Sequence, residues 1–295
     1  MTSGASAYRT GVAPILSVLI VFLAIWTLAA IALNWQTTSD RLAREDPAYG
    51  TAALVAATLS SDRPILPAPH QIVAEMANTI FGVRPSSPRS LLFHAGVTLS
   101  STLLGFAMGT LLGIALALGI INSRTLDKSL MPWIIASQTI PILAIAPMMI
   151  VVLNSVGVTG LVPKALISTY LSFFPVTVGM VKGLRSPDRM HLDLMRTYAA
   201  STAQLLYKLR LPASLPFLFA SMKVAVAAAL VGAIVGELPT GARAGLGARL
   251  LAGSYYGQTI QIWSALVMAA LMAGCLVAAI SLAERAVLAR TGQAR

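Results

Sequence analysis

The chain has 295 residues, 57% of them hydrophobic and only 11% charged, and its mean hydropathy of +0.79 excludes an ordinary water-facing globular surface. Lysine and arginine outnumber aspartate and glutamate 21 to 10. These basic residues are scattered at the ends of apolar runs instead of clustering with stacking aromatics, so no nucleic-acid partner is expected. A single cysteine, Cys275, rules out an internal disulfide and any multi-cysteine metal site.

Six apolar runs, at 12–35, 95–121, 131–153, 161–181, 215–238 and 260–287, reach the roughly 20 residues needed to cross a hydrocarbon core about 30 Å thick. The expected fold class is all-α, a polytopic membrane protein with six transmembrane helices. The first run follows Arg9 and contains Ala30-Ile31-Ala32, small residues that a cleaved leader would also show. Its apolar stretch exceeds the roughly 7–15 residues of a leader core, so a retained anchor is expected. The apolar piece 51–59 is too short to span and is placed in a long first loop.

In the second run Gly105, Gly109 and Gly113, with Ala117 beyond, form a small-residue ridge at four-residue spacing, as do Ala228, Gly232 and Gly236 in the fifth. Such ridges serve helix packing within one subunit or a contact between subunits. Pro141 and Pro147 place a kink in the third run. His94 and His191 read as interfacial or solvated, since neither has a second ligand at a metal spacing. Lys223, inside the fifth run, is expected to snorkel toward the cytosolic face. Glu237, near the other end of that run, is either an interfacial acid or a pathway or gate residue. Beyond it, Arg243, Arg249, Tyr255 and Tyr256 would suit an anionic or ring-bearing solute, the membrane interface or a docking protein.

The segment 186–212 is polar and basic between two apolar runs. Ser186-Pro187-Asp188 predicts a helix start, through a capping hydroxyl, a preset φ and an acid at the positive helix end. That helix is expected to run to about Tyr198. Ser201 or Thr202 can cap a second, short helix carrying Gln204, Leu205, Tyr207 and Lys208, which Pro212 is expected to stop. The tip, Ala199 to Thr202, is built of small residues that let another protein's backbone approach. Short-loop arginines and lysines favour placing this segment and both termini in the cytoplasm.

At this segment the chain resembles importer permeases of the ATP-binding cassette (ABC) class. Their cytoplasmic loop reads Glu-Ala-Ala, three residues, Gly, nine residues, Ile-x-Leu-Pro. The pattern falls on Asp193-Leu194-Met195, Ala199 and Leu209-Arg210-Leu211-Pro212, with the spacing kept and Ala in place of Gly. Ile65-Leu66-Pro67-Ala68-Pro69 with the amphipathic segment 70–80 resembles the start of the transport domain in the nitrate, sulfonate and taurine permease subfamily. The stretch 98–106, Ile140-Pro141 with Ala146-Pro147, and Gly236-Glu237 with Gly245-Leu246-Gly247 continue the likeness.

The resemblance implies a type I importer permease with a coupling-helix loop, in a bacterial-type inner membrane. It divides the chain into an N-terminal segment and first span at 1–35, an extracytoplasmic loop with an interfacial helix at 36–90, a permease domain at 91–288 and a cytoplasmic tail at 289–295. It assigns ATPase coupling to Asp193, Ala199, Ala200, Ser201, Thr202, Gln204, Leu205, Tyr207, Leu209, Leu211 and Pro212. The implied partners are a dimer of ATP-binding subunits, a second permease copy and an extracytoplasmic solute-binding protein. No phosphate-cradling G-x-x-x-x-G-K-[ST] loop occurs. ATP and Mg are therefore expected on the partner subunit, and no catalytic residue, cofactor or metal site on this chain. The implied cargo is a small anion or organic solute of the nitrate, sulfonate, taurine or pyrimidine-precursor type. An ion-coupled secondary transporter is the rival, but it would call for internal repeats and intramembrane carboxylates, which the runs hardly show beyond Glu237.

Overall fold

The computed structural model describes residues 4–45, 48–239, 242 and 244–290, with side chains from Ala13 onward. Among the described residues the architecture is all-helical, and no strand occurs. The long helices are α1 (Gly4–Glu45), α4 (Leu91–Asn122), α7 (Leu161–Leu184), α10 (Leu211–Glu237) and α12 (Thr259–Arg290). Shorter ones are α2 (Thr51–Leu59), α3 (Pro69–Phe81), α5 (Arg124–Ser137), α6 (Ile142–Ser155), α8 (Arg189–Thr197), α9 (Thr202–Leu205) and α11 (Leu246–Tyr255). Among the described residues five helical segments are long and apolar enough to cross a membrane, and the bent pair α5 and α6 brings the number to six if it counts as one span.

That pair corrects the picture of a merely kinked third run: its two halves bend by 99° at a short break. Pro141 supplies the cause, because it has no N–H to donate and its ring disfavours helical backbone at Ile140. The last amides before it close tight turns, Gln138 to Ile135 and Thr139 to Ala136. Pro147 lies inside α6 and breaks nothing.

The chain packs as two compact units, residues 1–91 with 249–267, and residues 92–248 with 268–295. In the first, α1 is stapled to the segment 64–68. Asn34, almost fully buried, accepts from Ile65 N at 2.6 Å and donates to Leu66 O at 2.8 Å, and Trp26 Nε1 donates to Pro67 O at 3.0 Å. Trp26 also meets Trp263 edge to face at 4.8 Å, and Thr259 donates to Pro64 O. Arg249, buried in this unit, donates to Arg89 O at 2.9 Å and to Glu75 at 3.3 Å. It is thus a structural strut and not a solute-facing residue. Burial pushes its pKa down while Glu75 pushes it back up.

The second unit is centred on α7, whose two sides are met by the two glycine ridges. A Cβ at Gly105 would stand 2.2 Å from Ser168 Cβ, one at Gly109 2.0 Å from Ser172 Oγ, and one at Gly113 2.8 Å from Val176 Cβ. From α10, a Cβ at Gly232 would meet Ser168 Cα at 2.7 Å and one at Gly236 would meet Ile167 at 3.2 Å. Ser168 is thus touched from both sides, and both ridges pack within this chain. Close backbone approach substitutes here for the hydrophobic drive that lipid does not provide.

Candidate functional site

The polar elbow begins at Arg189, behind Asp188, and not at Ser186. Ser186 instead closes α7, its hydroxyl donating to Gly183 O at 2.7 Å. Met190 and Leu194 in α8 and Tyr198 at its C-cap stand at four-residue intervals on one face and are 82%, 52% and 76% exposed. None of its residues is buried. Asp193 pairs with Arg196 at 2.8 Å on the open surface, where such a pair contributes little to stability.

The tip is a helix stop of the Schellman type. Ala199 N donates to Arg196 O at 2.8 Å and Ala200 N to Met195 O at 3.0 Å, and Ala199 takes φ 47°. Among the described residues it is the one non-glycine in the left-handed region. Glycine adopts that backbone without the Cβ clash, which gives a physical reason for Gly at this position in the loop pattern.

Ser201 then caps α9 in a reciprocal box, its Oγ accepting from Gln204 N at 3.3 Å while Gln204 Oε1 accepts from Ser201 N at 2.9 Å. The short helix does not end at Pro212. A π-helical turn, Leu206–Arg210, carries it into α10, with Leu211 N donating to Leu206 O. In a regular α-helix Pro212 would crowd the Lys208 carbonyl and leave it without a donor, and the widened turn accommodates the ring. The result is one helical segment, Thr202–Glu237, of 36 residues. Leu206 and Leu211 anchor it against the core of Ala117, Ile120, Ile134, Met180, Val181 and Leu184. Ser201, Thr202, Gln204 and Tyr207 stay exposed, Tyr207 at 67%, while Ala200, Leu205, Leu209 and Pro212 are half-buried.

At the other end of α10, Glu237 is fully buried. Thr98 Oγ1 lies 3.0 Å from each carboxylate oxygen and donates its proton there, and Gly247 N donates to Oε2 at 2.8 Å. Thr98 also accepts from Leu246 N at 2.8 Å, and His94 Nδ1 accepts from Gly245 N at 3.0 Å and lies 3.1 Å from Gly245 O. A Cβ at Gly245, where φ is +123°, would stand 2.2 Å from the Glu237 carboxylate carbon. The carboxylate therefore clasps the turn 245–247 onto α4. His94, read from the sequence as interfacial or solvated, is a buried part of this clasp.

Lys223 pairs with Glu284 at 2.5 Å, both side chains mostly shielded. In the sequence the only sign of this pair is one acid and one base lying in two different apolar runs. Tyr255 and Tyr256 are exposed, and Arg243 lies outside the described residues. Among the described residues no group of three or more His, Cys, Asp or Glu could hold a metal ion.

Residues 109–293 match the family described as binding-protein-dependent transport system inner membrane component. The chain is 35% identical over 183 residues to a probable ABC transporter permease protein of Haemophilus influenzae, covering 62% of this chain and 73% of that protein. It is 34% identical to the formylaminopyrimidine transport permease protein of Halalkalibacterium halodurans, over 62% of this chain and 68% of that protein. With the riboflavin transport system permease protein of Chloroflexus aurantiacus the identity is 32%, over 65% and 70%.

Proposed function

The chain belongs to the binding-protein-dependent transport system inner membrane component family, and from that membership we propose that it forms the translocation path of an ATP-driven importer and couples it to a separate ATP-binding subunit through the α8–α9 elbow. The observation that carries this reading is the unbroken helical segment Thr202–Glu237, which joins an exposed, capped tip to the packed centre of the unit. A short helix that simply ended at Pro212 could swivel. One that continues through a π-turn moves with the span, so a force applied at Tyr207 acts on α10.

In this assembly two permease copies sit on a dimer of ATP-binding subunits, which hold the ATP and Mg, while a solute-binding protein delivers cargo outside. Closure of the ATPase dimer biases the spans between two access states. Residues 91–288 make up the translocation domain, and Glu237 serves its outer end as an anchor for the turn 245–247. The cargo is a small anion or organic solute, of the nitrate, sulfonate, taurine or pyrimidine-precursor type. The named transport of a formylaminopyrimidine by one relative supports the last of these.

Sided labelling tests the orientation on which the coupling depends. With Cys275 replaced, Ser201→Cys should label only from the cytoplasmic side of sealed vesicles, and Ser60→Cys and Ser254→Cys only from the other. Ser254 is chosen over its neighbour Gly253, where a Cβ would meet Ile262 at 2.6 Å. Labelling of Ser201→Cys from outside would overturn the coupling role of the elbow.

A further inference from the structure

We propose that the end of α7 nearest α8 carries a binding site for an anionic phospholipid, with an acyl chain in an apolar groove and the headgroup phosphate on Lys182 and Arg185. Helices α7 and α10 meet almost backbone to backbone here, since a Cβ at Gly183 would stand 2.9 Å from Ser214 Cα. Residues of these two helices and of α5 surround an open cavity of about 480 Å³, whose apolar wall is Met131, Val178, Val181 and Phe217. Such a wall offers water no hydrogen-bond partner, so its fitting occupant is hydrocarbon. Just past it α7 ends at Leu184 and the chain turns polar, which sets the mouth of the groove at the edge of the apolar zone.

The mouth is basic, with Lys182 and Arg185 both lining it. Lys182 is exposed and, among the described residues, has no ion-pair partner. Arg185 gives one guanidinium nitrogen to Asp127 at 2.8 Å and keeps further donors. Two bases stand against one acid, so a positive charge is left over. The helix end does not need it: Val181 O already accepts from Arg185 N at 3.2 Å, and Gly183 O from Ser186 N at 3.1 Å. A positive mouth over an apolar groove at the end of a span matches a lipid whose phosphate leaves the headgroup with a net negative charge. A choline or ethanolamine headgroup would set its own cation against Lys182, and a soluble anion would leave the groove unfilled. The inference rests on the permease reading only for which leaflet supplies the lipid, the cytoplasmic one.

Native mass spectrometry of the full-length chain, released from detergent micelles containing equal amounts of phosphatidylglycerol and phosphatidylcholine, reads the lipid retained. The wild type should keep phosphatidylglycerol in preference to phosphatidylcholine. Lys182→Gln should weaken that retention roughly fivefold, the weight of one basic residue at a membrane surface. Val178→Trp, at an exposed position, leaves both charges in place but fills the groove, and should weaken retention as well. Arg290→Gln, which removes an exposed base at the end of α12, should not. Equal retention of the two lipids by the wild type, a loss in Arg290→Gln as large as that in Lys182→Gln, or full retention by Val178→Trp overturns the site. So does a Lys182→Gln variant that keeps its lipid and loses the ATP-binding subunit, which would give the mouth to that partner. Failure of this site would leave the sided labelling of Ser201→Cys unaffected, and reversed labelling would change the leaflet while leaving lipid retention in detergent as it is.

Discussion

The two ends of α10 are held in opposite ways. At Glu237 every contact is inward: a buried carboxylate, a threonine and a histidine satisfy three successive backbone amides, and two glycines admit the turn. At the elbow the inward contacts stop at Leu206 and Leu211, and Met190, Leu194, Tyr198 and Tyr207 stand in solvent. A self-satisfied end needs nothing further, whereas an end that exposes large apolar side chains on short helices suits a partner. On the coupling proposed above, the difference separates residues that keep the span in place from residues through which it would be moved.

Substitutions should respect that division. Gly109→Leu should have the largest effect, since its side chain would enter the space held by Ser172 and force α4 from α7. Overpacking costs of about 1–3 kcal/mol or more are expected, with insertion into the membrane preserved and folded yield in detergent lost. Glu237→Leu comes next, because it leaves the Gly247 amide and the Thr98 hydroxyl buried without their acceptor. A loss of about 1–3 kcal/mol should appear as a lower thermal midpoint, and Glu237→Gln, which keeps an acceptor, should lose less.

At the elbow the effects on stability should be smaller and those on transport larger. Ser201→Ala removes the cap of α9 at a cost of about 1 kcal/mol, measurable as reduced uptake at unchanged expression. Ala199→Gly should be the mildest, relieving the left-handed strain by up to about 1 kcal/mol and leaving uptake intact or improved. An Ala199→Gly variant with lower stability would show that the tip is not strained.

What the sequence disclosed follows the range of the interactions involved. The spans were legible because run length and hydropathy are local, and so was the capping box, whose partners lie three residues apart. The clasp was half legible: Gly236-Glu237 and Gly245-Leu246-Gly247 stood out as a pattern, but Thr98 lies 139 residues from Glu237 and no local signal joins them. Pro212 misled for a different reason. Proline forbids one backbone hydrogen bond, and a π-turn removes the need for it, so the helix passes a residue that normally ends one. Pro141 did break its helix, yet the size of the bend depends on what α5 and α6 pack against.

The central claim is that the elbow, and not the clasp, engages the ATP-binding subunit. Co-purification of that subunit with the double variant Tyr198→Asp, Tyr207→Asp, measured beside solute uptake, tests it most directly. Because both side chains are exposed, the variant should reach the membrane at wild-type levels with an unchanged thermal midpoint, yet fail to retain the ATP-binding subunit and support no uptake. Wild-type retention and uptake by this variant would contradict the claim and place the coupling surface elsewhere on the chain.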